Sequence, residues 1–276
     1  MPLKLMYITN DAAVAKIAEK AGADRIIIDL ETLGKQERQG HLDSVKSDHS
    51  AEDIKTVKPC LHRSELMVRV NPLNPASEDE INKVIDYGAD IVMLPMFKTA
   101  DEAEKFAGLV NGRAKTMLLL ETAEAEYGID SILEVSGIDE IHIGLNDLHL
   151  AHKMKFMFEL LADGTVEKLC RKIAGKGIPY GFGGVSAIGS GMLPAECILA
   201  EHYRLGSSMV ILSRSFCDVQ KIKDSEKIKA VFNSGIREIR EFEEFLLRQN
   251  ETYFSENLKE VKKIVLQTEL GRKDGI

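Results

Sequence analysis

Short apolar runs alternate along this chain with stretches whose apolar residues recur at helical spacing. The runs at 3–9, 25–31, 66–71, 91–97, 116–122, 140–147, 179–186 and 209–216 make eight. Most are apolar at consecutive positions, as in Ile26-Ile27-Ile28 or Met117-Leu118-Leu119-Leu120. Side chains on both faces are therefore covered, the habit of strands in a parallel sheet. The intervening pattern predicts helices. Residues 11–22 place Ala13, Val14, Ile17 and Ala21 on one face, with Asn10 as the expected N-cap and Gly22 as the stop. Residues 77–88 and 99–112 each open on an expected capping box, Ser77 with Glu80 and Thr99 with Glu102. Gly-Ala-Asp precedes a strand at 22–24 and again at 88–90, as a repeated helix-to-strand turn would.

Eight strands alternating with helices over roughly 220 residues predict an α/β fold, a TIM (β/α)8 barrel. A doubly wound open sheet is the rival, but its glycine fingerprint is missing after the first strand, where Thr9-Asn10-Asp11 stands. The barrel is expected over residues 1–250 as the catalytic domain, with 251–276 as a C-terminal helical extension. Val231, Phe232, Ile236, Ile239, Phe242, Phe245 and Leu246 follow helical spacing and complete the barrel. A further helix at 255–270 is surplus to it and is expected to pack on its own barrel or on a neighbouring subunit. Residues 32–50 form a long polar insertion after the second strand.

Composition changes this picture little. The 276 residues carry 44 acidic and 36 basic side chains, a formal charge of −8, which disfavours nucleic acid as a partner. No apolar run approaches the roughly 18 residues needed to span a bilayer, and no signal-like stretch opens the chain, so a cytoplasmic protein off the membrane is expected. Cys60, Cys170, Cys197 and Cys217 lack zinc-type spacing and read as reduced thiols.

In a barrel of this kind chemistry gathers where strands end. The expected strand ends carry Asp29 and Glu31, Arg69 and Asn71, Glu121, then Gly144, Asn146 and Asp147, then Gly183 and Gly184, then Ser213 and Arg214. Glu121 and Asp147, on adjacent strand ends, would make a hard-oxygen site for Mg²⁺ or Mn²⁺; capping of following helices or pairing with a cation is the plainer explanation. Arg69, an arginine in an apolar strand, suits a carboxylate or enolate oxygen, or a structural ion pair with Glu31 or Glu121. Arg69, Glu31 and Asp29 are the candidate catalytic set. Arg69, Asn71, Gly144, Asn146, Gly183, Gly184, Ser213 and Arg214 are the candidate substrate contacts. The glycine-dense stretch 181–191 reads equally as an anion cradle or a tight turn. His41, His49, His149 and His152 fall in or near loops of the active face and are candidate bases; His142, mid-strand, reads as a satisfied core residue.

Arg69-Val70-Asn71, Leu94-Pro95-Met96 with Thr99-Ala100-Asp101-Glu102-Ala103, Leu120-Glu121-Thr122-Ala123-Glu124-Ala125 and Ile143-Gly144-Leu145-Asn146-Asp147-Leu148, in that order, resemble the HpcH/HpaI aldolase and citrate lyase beta-subunit family. The resemblance implies a TIM barrel that makes or breaks a carbon–carbon bond of a 2-oxo acid such as pyruvate through a metal-stabilised enolate. It implies that Glu121 and Asp147 bind the divalent ion and that Arg69 contacts the substrate's oxo or carboxylate oxygen. It also implies a homo-oligomer, a trimer or hexamer, with the C-terminal helix exchanged. Two positions depart from the family's patterns. Thr32 stands where pyruvate-forming members have a histidine and citrate-lyase-like members a second aspartate, and Met96 stands where the latter have lysine.

Three functions follow as expectations. The first is a Mg²⁺- or Mn²⁺-dependent lyase acting on a small oxo-acid or acyl-CoA substrate. In it the base is a metal-bound water, Glu31 or a loop histidine, in that order. The second is a citrate-lyase-like acyl-CoA lyase or thioester hydrolase. The third is a non-catalytic barrel that binds an anion.

Overall fold

A computed structural model of the protein describes residues 2–34 and 48–273. Eight parallel strands close into a barrel in sequence order: β1 (Lys4–Ile8), β2 (Arg25–Asp29), β3 (Glu65–Arg69), β4 (Ile91–Leu94), β5 (Lys115–Leu120), β6 (Glu140–Ile143), β7 (Tyr180–Val185) and β8 (Met209–Leu212), with β8 pairing back to β1. The helices that return the chain are α1 (Ala12–Ala21), α2 (Glu52–Val57), α3 (Ser77–Asp86), α4 (Ala100–Val110), α5 (Ala123–Tyr127), α6 (Ile129–Ile132), α7 (Leu145–Ala151), α8 (Glu159–Ala162), α9 (Thr165–Ala174), α10 (Ala195–Arg204) and α11 (Ser225–Leu246). A last helix, α12 (Glu251–Lys273), lies beyond the barrel. The expected TIM barrel is the observed one. No described helix is long and apolar enough to cross a membrane.

Alternation along each strand divides the apolar residues into two cores. Outward residues such as Ile26, Ile28, Val68, Leu118 and Phe182 are buried under the helices. The inward core is smaller and consists of Met6, Ile27, Met67, Ile91, Met93, Met117, Leu119 and Met209. Five of these eight are methionine, where such barrels commonly use branched aliphatics. Unbranched thioether chains fill irregular space with little strain.

The N-terminal end of the barrel is closed by charge. Arg25, fully buried, grips both oxygens of Glu140 at 2.5 and 2.7 Å and Glu65 at 2.9 Å. Lys115 and Lys4 pair with the same two carboxylates from the outside. A buried arginine survives because every face of its fork meets an oxygen.

Several local expectations are corrected. The N-cap of α1 is Asp11, whose side chain accepts from Ala13 and Val14 N–H; Asn10 instead donates to Asp53 and the Asp48 carbonyl. Helix α3 has no capping box. Ser77 lies inside it and accepts from the Asn74 N–H, while Glu80 turns back to Asn71. At α4 Thr99 caps as expected, but Glu102 returns to the N–H of Lys98 rather than of Thr99. Most predicted strands run past the last ladder bond at their C-terminal ends. Helix α12 packs along α10 and α8 of its own barrel, burying Val261 and Val265, and Asn257 donates to buried Glu201 at 2.9 Å.

Candidate active site

The C-terminal strand ends bring Asp29, Arg69 and Glu121 to one mouth. Parallel register sets Asp29 directly beside Arg69. The guanidinium takes both Asp29 oxygens, Nε at 2.8 Å and Nη2 at 2.7 Å, and reaches Glu31 through Nη1 at 3.3 Å. The sequence suggested Glu31 or Glu121 as its partner; Asp29 is the tighter one. Burial works against the charged guanidinium, but Asp29, Glu31 and Glu121 outweigh it and hold Arg69 firmly protonated. Two of its five N–H donors bond Asp29, and Nη1 faces Glu31 as an ion pair.

Glu121 is the first residue past β5 and is 3% exposed. Burial pushes its carboxyl well up; Arg69 pulls it down, Asp147 and Glu31 push it up again, and the Met96 N–H lowers it by a hydrogen bond at 3.2 Å. Asp147 reaches the site differently from the expectation. Strand β6 stops at Ile143, Gly144 turns the chain, and Asp147 sits in the first turn of α7. A helix N-terminus is a favourable place for a carboxylate, and it draws Asp147 off the strand. Two carboxylates that repel each other in a buried site, with hard oxygen donors, fit a divalent cation. Gly144 adds to the fit: a Cβ there would lie 2.7 Å from Glu121 Oε2, so its absence leaves that oxygen room. Among the described residues no group of three or more His, Cys, Asp or Glu could hold a metal. An ion held by this pair would complete its shell with water or substrate oxygens.

Other candidates have local tasks. Asn71 braces the start of the insertion: its Oδ1 accepts from the Thr32 and Leu33 N–H groups and its Nδ2 donates to Glu80. Asn146 is half-buried beside Asp147 in the first turn of α7. The glycine-dense strand has packing reasons. A Cβ on Gly181 would strike the Met209 carbonyl, one on Gly183 (φ 53°) would lie 2.7 Å from Leu145 Cδ1, and one on Gly184 would crowd the Ile211 carbonyl at 3.3 Å. Ser213 bonds Ser215, and Arg214 is exposed.

The histidines separate clearly. His41 and most of the 32–50 insertion lie outside the described residues. His149 is buried and turned back on the Leu145 carbonyl, and His152 pairs with Glu126 at 2.5 Å. His142 is not the satisfied core residue expected. Its Nε2 meets the Gly183 carbonyl at 3.0 Å, but Nδ1 is buried with no hydrogen-bond partner among the described residues, and burial lowers its pKa to about 4. His49 arrives at the end of β2 from 20 residues further along, its Nδ1 accepting the Asp29 N–H at 3.0 Å. A backbone N–H can only donate, so in the neutral ring the proton sits on Nε2.

Sequence reasoning missed the Met96 N–H and the role of Thr122, which caps α5 and donates to the Phe97 carbonyl at 2.7 Å. The Thr122-Ala123-Glu124-Ala125 run carried the cap signal. Nothing in the residue type of Met96 signals its backbone. A groove of about 560 Å³ lined by Lys98, Thr99, Ala123, Glu124 and Tyr127 flanks the β4 and β5 ends.

Comparison with known proteins places this geometry. Residues 4–157 match the family model described as HpcH/HpaI aldolase/citrate lyase. No curated protein matches. Among solved structures, the HpcH/HpaI aldolase from Desulfitobacterium hafniense DCB-2 superposes with a TM-score of 0.62 at 17% identity, over 83% of this chain and 93% of that one. An HpcH/HpaI aldolase/citrate lyase family protein from Burkholderia cenocepacia J2315 gives 0.62 at 15% identity, over 87% and 95%. The citrate synthase SbnG gives 0.60 at 16%, over 83% and 95%. At these identities the structures share the fold.

Proposed function

The chain belongs to the HpcH/HpaI aldolase/citrate lyase family, and from that premise we propose that it is a divalent-metal-dependent carbon–carbon lyase of aldolase type. It cleaves or forms a 2-oxo acid through an enolate. The observation that carries this reading is Arg69, paired with Asp29 and Glu31 beside the buried Glu121 at the barrel mouth.

Glu121 and Asp147 are the residues that would hold Mg²⁺ or Mn²⁺. Bound there, the ion supplies positive charge against the oxygen on which the enolate's negative charge develops. The chain's own residues do the rest. Arg69 fixes the substrate's carboxylate or oxo oxygen by its planar fork and stabilises the same developing charge. Asp29, bound through both oxygens, orients Arg69. Glu31, buried at the mouth and 3.3 Å from Arg69 Nη1, is the group we assign to take the hydroxyl proton of the cleaved fragment. His49, with its neutral-ring proton on Nε2, serves as a donor at the rim rather than as the base. Gly144 and Asn146 at the α7 turn, Asn71, and the rim residues Gly183, Gly184, Ser213 and Arg214 shape the distal end. The substrate is a small oxo acid or its acyl-CoA counterpart. The protein works as a cytoplasmic homo-oligomer, a trimer or hexamer, with residues 1–250 as the catalytic barrel and 251–276 as an extension.

Two measurements test this. Chelator is expected to abolish release of pyruvate, oxaloacetate or aldehyde across a panel of free oxo acids and CoA thioesters, and Mg²⁺ or Mn²⁺ to restore it. Full turnover in metal-free protein overturns the metal dependence, and no turnover on any substrate with metal bound favours an anion-binding barrel. Glu121→Gln and Asp147→Asn are each expected to weaken Mn²⁺ binding by about tenfold or more; unchanged affinity in both removes the ligand assignment.

A further inference from the structure

Glu121 is gripped from two sides. On one side Met96, following Pro95 at the end of β4, has a left-handed backbone (φ 56°). The described chain has two other non-glycine residues with positive φ, Asn111 and Lys153; Asn111 directly follows α4 and Lys153 stands two residues past the end of α7. Met96 is neither at a helix end nor of a residue type that favours this region, and an L-residue there is strained. Such strain persists only where the surroundings over-determine it. What it accomplishes here is visible: it turns the Met96 N–H onto Glu121 Oε1 at 3.2 Å. On the other side Gly144 closes on the carboxylate, its missing Cβ lying 2.7 Å from Oε2 and 2.9 Å from the Glu121 Cβ. Any larger residue would push Glu121 off this rotamer.

We propose that Met96 and Gly144 are positioning residues that clamp Glu121, with Oε1 occupied by a strained peptide N–H and Oε2 as the oxygen presented towards the β6 end, where Asp147 stands. The clamp decides which carboxylate oxygen binds the divalent cation and removes the rotamer freedom that binding would otherwise have to freeze. The inference rests on the reading that Glu121 and Asp147 hold the ion.

Calorimetric titration with Mn²⁺ alone, without substrate, tests it beside thermal unfolding. Replacing the Met96 amide by an ester deletes the N–H and keeps the side chain. Met96→Val puts a β-branched residue in a left-handed position, and Gly144→Ala crowds Oε2. The ester and Gly144→Ala are each expected to weaken Mn²⁺ binding about tenfold in protein that still unfolds cooperatively; Met96→Val should do the same with a lower Tm. If all three bind Mn²⁺ as the unaltered protein does while Glu121→Gln does not, the clamp is only a structural turn and the inference fails. If Glu121→Gln also binds normally, the metal-site reading fails instead. Should Met96→Val not fold, the ester and Gly144→Ala still decide the matter.

Discussion

At Arg69 a guanidinium sits in the barrel mouth against two buried carboxylates, and removing it takes a buried cation away from both Asp29 and Glu31. Arg69→Met is therefore expected to destabilise the fold by about 3 kcal/mol and to end turnover. Arg69→Lys keeps the charge but not the fork, so it should recover stability without recovering activity. Urea unfolding alongside a lyase assay distinguishes the two; a fully active lysine variant contradicts the bidentate role. His142 makes a prediction of opposite character, about pH. Burial keeps it neutral down to about 4, against pressure from Glu140 and the Gly183 carbonyl and helped by Arg25 and Arg69. The unfolded chain takes up the proton first, near its ordinary value of about 6.5. Stability from this group is thus whole above that pH and is eroded as pH falls from 6.5 towards 4, by about 2 kcal/mol at pH 5. Chemical denaturation at pH 7 and pH 5 should show the loss, and His142→Gln should reduce it. An equal pH dependence in that variant excludes His142 as its source.

Among the elements, β7 is the one whose glycines proved structural. Gly181 faces the Met209 carbonyl so closely that Gly181→Ala must spread β7 from β8, where the register already shifts between Gly181 and Gly184. A loss of about 2–3 kcal/mol is expected by thermal unfolding; a stability within 0.5 kcal/mol of the parent would show that the strands separate easily. From sequence, this strand's glycines read equally as a cradle for an anion, because composition reports the missing side chain and not the neighbour that requires it missing. The same limit explains the overrun strand ends. Phe97, Leu145 and Phe216 lie past the ends of their strands yet stay buried, so the apolar signal continues after the pairing has stopped. Asp147 was therefore read as a strand end when it opens a helix. The strands themselves, their parallel pairing and the placing of Glu121 and Arg69 at one mouth were legible, since these follow from alternation and from where apolar runs first meet charge. The grip of Met96 on Glu121 was not, because it is made by a peptide N–H, which every residue but proline carries.

For the whole molecule, α12 and the barrel stand in one packed body through Val261, Val265 and the Asn257–Glu201 bond. Asn257→Ala removes a partner of a fully buried carboxylate that is also paired with Arg204, and is expected to lower stability by about 1–2 kcal/mol without altering turnover. A changed rate with intact stability would instead tie α12 to the active mouth. The two ends of the barrel repeat one chemical device, an arginine caged by two carboxylates: Arg69 at the mouth, Arg25 at the floor. The lower one, with thioethers stacked above it, turns the barrel into a blind well with a single opening. With the floor and the inner core buried, the mouth is the expected route for protons exchanged in a catalytic cycle, on the same side as the substrate that brings them.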